Sequence, residues 1–176
     1  MKAKSYKEIA IKYAKDVVSG IKIAGADVIN ACRRFLEDLK RPELELRTKE
    51  PDAAVTIMEG IFVHRKGEAL DGTPLLGKPF KLEPWESFIV YNLLGFYYKG
   101  TDKRRFNEAF IEVARKNGKS LVASAVAKYV WYVDGGYGAR VFTIAPKLDQ
   151  ADIIYNNIWQ MVQLDPEWQQ RKAQLE

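Results

Sequence analysis

The chain has 176 residues, 47% hydrophobic and 29% charged, a balance that excludes a disordered polyelectrolyte and fits one ordinary domain, or one domain with a small N-terminal appendage. A single cysteine, Cys32, excludes an internal disulfide, and with the single histidine, His64, it argues against a Cys/His zinc site and a Ser-His-Asp hydrolase. The net charge of +5 is compatible with a nucleic-acid partner without requiring one.

Residues 1–15 alternate charges with apolar residues and lack the apolar core of a signal peptide. Over 5–18, Tyr6, Ile9, Ala10, Tyr13 and Val17 share one helical face, with lysines opposite. Residues 26–40 repeat the pattern with Val28, Cys32, Phe35, Leu36 and Leu39, and Pro42 stops that helix. Residues 53–66 read as a third helix. From Gly67 to Pro84, glycines and prolines break the chain into a loop, the most plausible boundary. The aromatic, apolar stretch 85–98 reads as a buried helix. Next come a strand over 106–113, a helix over 118–132, a glycine-rich turn at 134–138, a β-branched strand over 140–145 stopped by Pro146, and a helix over 148–164. The expected fold class is α/β, with parallel strands in strand–helix–strand–helix order. Residues 1–66 form a helical N-terminal segment before a second segment, 67–176. No apolar run approaches the ~20 residues that span a bilayer, so a cytoplasmic protein without membrane contact is expected.

The segment Val113-Ala-Arg-Lys-Asn-Gly-Lys-Ser120 carries the chemistry. A phosphate-binding loop needs a strand, a tight bend and a helix, so that backbone N–H groups and the helix N-terminus face the phosphates. Gly118 permits close approach, Lys119 reaches the β- and γ-phosphates, and Ser120 offers a hydroxyl to Mg²⁺. The first glycine of the usual G-x-x-x-x-G-K-[ST] spacing is replaced by Val113. A plain surface turn, with Asn117 capping the helix and Lys119 and Ser120 solvated, is the competing reading. Two other segments are set aside. Tyr129–Asp134 has the four-apolar-plus-acid pattern of a Walker B strand but falls at the end of a helix. Asp134–Gly138 is rich in glycine but links a helix to a strand, so no helix N-terminus faces it. Lys99, Lys103, Arg104 and Arg105 form a basic cluster, read as a solvated turn or as a DNA-backbone contact.

The run from Arg104 to Ser120 closely resembles the deviant Walker A region of tailed-phage terminase large subunits, the ATP-driven motors that package viral DNA. That family commonly lacks the first glycine and places an arginine in the loop, where Arg115 falls. Gly77-Lys-Pro-Phe-Lys-Leu-Glu-Pro-Trp-Glu86 resembles its adenine-contacting segment, which usually ends Pro-Trp-Gln. Val141–Ala151 resembles the strand and helix that follow. Together the three stretches cover about residues 60–165 in register.

The resemblance implies a partial P-loop NTPase that binds ATP and Mg²⁺. Arg115 and Lys119 would act catalytically, Arg115 as an arginine finger supplied in cis. Phe80, Pro84, Trp85, Glu86, Arg115, Lys116, Asn117, Gly118, Lys119 and Ser120 would bind the nucleotide, with Ser120 the metal ligand. Glu86 departs from the family's glutamine, and an ionised carboxylate only accepts hydrogen bonds. The implied partners are double-stranded DNA, the portal protein and the small terminase subunit, with oligomerisation in the full-length protein and a bacterial host cell as the setting. A Walker B acid, a water-orienting carboxylate and a nuclease domain are not found in the sequence. The expectation is therefore an N-terminal fragment that binds nucleotide without turning it over. The alternatives are another P-loop ATPase of helicase type, or a basic module that binds DNA or a phage partner without catalysis.

Overall fold

In the computed structural model, residues 5–61, 68, 71–74, 78–115, 117–135, 138–163 and 170 are described. The chain divides into two compact units, Met1–Val55 with Leu82–Ile111, and Thr56–Lys81 with Glu112–Glu176.

In the first unit, helix α1 (Tyr6–Val18) starts at Ser5. The Ser5 hydroxyl accepts from the Glu8 N–H at 3.2 Å, and the Glu8 carboxylate accepts from the Ser5 N–H at 3.2 Å. This capping box satisfies two N–H groups that a helix start leaves open. Ala10, Ala14 and Val17 form its buried face, and these small side chains let neighbouring helices approach closely. Helix α2 (Ala26–Asp38) buries Cys32 and Phe35. Strand β1 (Leu44–Leu46) follows, then helix α3 (Lys49–Ile61), of which residues 49–55 belong to the first unit. Helix α3 starts before the expected residue 53 because Pro51 occupies the first turn, where its missing N–H is not needed.

Helix α4 (Pro84–Gly95) is apolar on nearly every side and packs on α1, as helices without a polar face must. The Phe88 ring lies 5.5 Å from Tyr13 and 5.2 Å from Phe35, and Phe35 meets Phe96 edge-on at 5.3 Å. A buried ring of this kind contributes roughly 1.5–3 kcal/mol. The expected helix over 85–98 ends at Gly95, and Phe96–Tyr98 form strand β2 instead. Strand β2 pairs antiparallel with β1, Leu44 opposite Tyr98 and Leu46 opposite Phe96. A Cβ on Gly95 would lie 2.7 Å from Leu46 Cδ1 and 3.2 Å from the Arg47 carbonyl, so any side chain there must push its neighbours aside. After a turn at Gly100 (φ 74°) the chain returns along β2. There the Tyr98 N–H donates to Lys103 O and the Arg105 N–H to Phe96 O. Asp38, 2% exposed at the end of α2, accepts from Arg105 Nε at 2.7 Å and fixes the returning segment.

In the second unit, helix α5 (Lys119–Tyr129) runs into a π-helical turn, Val130–Asp134, and helix α6 (Leu148–Gln163) packs on α5. Val122, Ala125 and Tyr129 of α5 and Val162 of α6 are buried.

The expected strands over 106–113 and 140–145 are not seen as such: neither stretch carries ladder hydrogen bonds among the described residues, and Phe110 (92%), Phe142 (77%) and Ile144 (93%) are exposed. A strand exists only through its neighbours, and β-branched composition does not supply them. Among the described residues the only sheet is the antiparallel pair β1–β2, so the architecture is helical with a small sheet. In the first unit, Phe88 and Tyr91 of α4 and Phe96 of β2 join the core of the N-terminal helices.

Candidate nucleotide-binding site

The bend before α5 is built by three residues. Gly118 adopts φ +71°, ψ −2°, a left-handed conformation that suits glycine, and precedes the first helical residue, Lys119. Its carbonyl accepts from the N–H groups of Leu121 at 2.8 Å and Val122 at 3.1 Å. Lys119 folds back, and its Nζ donates to the Val113 carbonyl at 3.0 Å. Asn117 Nδ2 donates to the Ala114 carbonyl at 3.4 Å. The two side-chain bonds tie Asn117 and Lys119 back to the carbonyls of Ala114 and Val113, closing the bend.

Asn117, the cap of the competing reading, is thus turned into the bend, and no side chain among the described residues caps α5. The first N–H groups of the helix stay open to an acceptor, with the positive end of the helix dipole behind them. Arg115 and Lys119 are exposed, and no carboxylate pairs with either among the described residues. Ser120 is half-buried. Its carbonyl accepts from Ser124 Oγ at 2.6 Å, and its own hydroxyl has no partner among the described residues. Lys116, also expected here, lies outside the described residues, as does His64.

A family model described as terminase large subunit, ATPase domain, matches residues 84–174, more than half of the chain. The chain belongs to the terminase large subunit ATPase family. No curated protein and no solved structure matches it. The terminase match takes in the bend and helices α5 and α6, and it makes the chain part of a DNA-packaging ATPase, with the nucleotide and metal use that an ATPase implies. No helix among the described residues is long and apolar enough to cross a membrane.

The terminase match begins at the first turn of α4, in the first unit. Pro84 and Trp85 there are half-buried. Glu86 is 3% exposed, and its carboxylate accepts from the Glu83 N–H at 2.9 Å. Burial pushes this carboxyl up to about 7. Sequence reasoning assigned Glu86 to the base and missed its role at the helix start. The signal was present, since a proline at the first helical position with glutamate two residues later marks a helix N-terminus. Phe80 is buried in the second unit, just before the matched range. The structure therefore brings Arg115, Asn117, Gly118, Lys119 and Ser120 into one bend, while Pro84, Trp85 and Glu86 open a helix of the other unit.

The terminase bend fits Mg²⁺ in one respect. Ser120 presents a hydroxyl oxygen at the helix start, and Mg²⁺ characteristically takes few protein ligands beside phosphates and water. Among the described residues no group of three or more acidic, His or Cys side chains is placed to hold a metal. Asp134, the acid of the Walker B-like run, lies in the π-helical turn and not on a strand.

Proposed function

We propose that this chain binds ATP with Mg²⁺ in the bend 113–120 and forms the ATP-binding portion of a viral DNA-packaging motor. The observation that carries the reading is the closed bend, with left-handed Gly118 leading into an uncapped helix and Lys119 held across it on the Val113 carbonyl. A surface turn has no need of such a closure.

In this reading Lys119 leaves Val113 and meets the β- and γ-phosphates, while the open N–H groups of the bend and of α5 take phosphate oxygens. Ser120 contributes its hydroxyl to Mg²⁺, which neutralises phosphate charge when bound. Arg115 is the finger supplied in cis, and its exposed, permanently charged fork suits a γ-phosphate. Lys116 adds to the positive field. Phe80, Pro84, Trp85 and Glu86 are proposed for the base on the strength of the sequence resemblance. A Glu86 carboxyl that is partly protonated near neutrality both donates and accepts, as the family's glutamine does. The apolar stretches 106–113 and 140–145 are proposed as strands of a parallel sheet completed by further strands. The catalytic acid and the water-orienting carboxylate are proposed to come from outside these 176 residues, so the chain alone turns over no ATP. DNA, the portal and the small subunit are the proposed partners of the assembled motor.

Titration with a fluorescent ATP analogue tests this. Saturable, Mg²⁺-dependent binding is expected, weakened at least about tenfold by Lys119→Ala, since one charge-assisted contact is worth roughly 1.5–3 kcal/mol. Binding unaffected by Lys119→Ala removes the bend from the site. In a steady-state phosphate-release assay, turnover abolished by Lys119→Ala would show that the catalytic acid lies within the chain. In the intact motor, Arg115→Ala is expected to slow hydrolysis more than it weakens binding.

A further inference from the structure

Ser124 lies on α5 beyond the residues of the bend, and it is 0% exposed. A serine inside a helix can donate to the carbonyl four residues back, which satisfies its hydroxyl and bends the helix slightly. Ser124 does this with a short bond, Oγ to the Ser120 carbonyl oxygen at 2.6 Å. The peptide group that accepts it hands the interaction on. The Ser120 carbonyl shares that group with the Leu121 N–H, which donates to the Gly118 carbonyl at 2.8 Å. The Gly118 carbonyl in turn shares a peptide group with the Lys119 N–H. That last N–H belongs to the first residue of α5 and has no partner among the described residues. A single file of hydrogen bonds therefore runs from a buried hydroxyl, through the Ser120 and Gly118 peptide groups, to an open donor.

We propose that Ser124 is a positioning residue for the phosphate site, aligning and polarising this file so that the Lys119 N–H is a stronger donor to a phosphate oxygen. The inference rests on the reading of the bend as an ATP site, and Ser124, being buried, meets no ligand itself. A hydrogen bond accepted at a carbonyl draws electron density toward that oxygen and leaves the N–H of the same peptide group more positive. Passed through the Ser120 and Gly118 groups, the effect ends at Lys119. Burial of Ser124 keeps the start of the file away from water, which would screen it. The bond also fixes the direction of the Ser120 carbonyl, and with it the plane of the Leu121 N–H that closes on Gly118. Cooperative strengthening of this kind is about 10–30% for each bond. Acting on one charge-assisted contact to phosphate, it amounts to about two- to fourfold in nucleotide affinity.

The test uses the isotope-labelled full chain, observed by amide NMR and by titration. Without nucleotide, Ser124→Ala is expected to move the Lys119 amide proton upfield, by more than the amides of the last turn of α5 move. With Mg²⁺ and a fluorescent ATP analogue, Ser124→Ala should weaken binding about two- to fourfold. Ser124→Thr keeps a hydroxyl that can reach the same carbonyl and should restore both readouts. Ser124→Cys keeps the bulk of serine with only a weak donor, and adds no methyl to a buried site. It should fall between the parent and Ser124→Ala. The proposal is overturned if the Lys119 amide stays in place in Ser124→Ala, if Ser124→Ala binds the analogue as tightly as the parent, or if Ser124→Cys does so while Ser124→Ala is weakened, since bulk and not the bond would then matter. Failure of the nucleotide reading looks different. The parent itself would bind no analogue, and the Lys119 amide would still decide whether Ser124 polarises the bend.

Discussion

Glu86 shows how one carboxyl links helix initiation to pH. In an unfolded chain it titrates near 4.5, and in the folded protein its burial raises it to about 7. Between those values the folded state keeps a proton that the unfolded state has lost. Stability therefore falls as pH rises from about 4.5 through about 7 and stays lower above it. The shift corresponds to at most about 3 kcal/mol. Glu86→Gln keeps an oxygen acceptor for the Glu83 N–H without a charge to desolvate. Urea unfolding at about pH 5 and about pH 8 is expected to show the parent losing roughly 1–3 kcal/mol and the variant less than half of that. Equal losses would mean the linkage lies elsewhere. The bend before α5 was legible in the sequence, because Gly118 followed by a helical pattern marks a turn into a helix, and Gly118 stands at that turn. The closure of the bend was not, because the Lys119–Val113 bond depends on a backbone path that residue identities do not encode.

At the level of elements, period decided what was legible. Helices α1, α2 and α6 follow from apolar residues at helical spacing, and the predicted Ala10 and Val17 face of α1 is the one buried. Strand β1 was missed because three residues carry no readable alternation, and its pairing with β2 joins positions distant in sequence. The predicted strands over 106–113 and 140–145 show the reverse case, strand-like composition without a partner. The α4–β2 junction depends on one residue. Gly95→Ala places a methyl against Leu46 Cδ1 and the Arg47 carbonyl. The backbone oxygen has little room to yield, so a destabilisation of about 1–3 kcal/mol is expected in chemical denaturation. A loss under about 0.5 kcal/mol would show that β1 shifts freely.

At the level of the whole chain, its exposed apolar surface governs behaviour in solution. Phe142 and Ile144 stand 77% and 93% exposed on a stretch whose backbone makes no ladder hydrogen bonds among the described residues, conditions that favour edge-to-edge pairing. Sedimentation is expected to show concentration-dependent self-association of the isolated chain, reduced by Phe142→Asp together with Ile144→Asp. A parent that stays monomeric at the highest soluble concentration would argue against a sticky edge.

The core of the first unit sets an order of events during synthesis. Ala10, Ala14, Cys32 and Phe35 share it with Phe88, Tyr91 and Phe96, which leave the ribosome much later. The early helices must wait with their apolar faces bare, a period of exposure to chaperones and to aggregation. A chain shortened from its beginning to remove α1 should accordingly be found in inclusion bodies, because α4 would have lost the surface on which it settles.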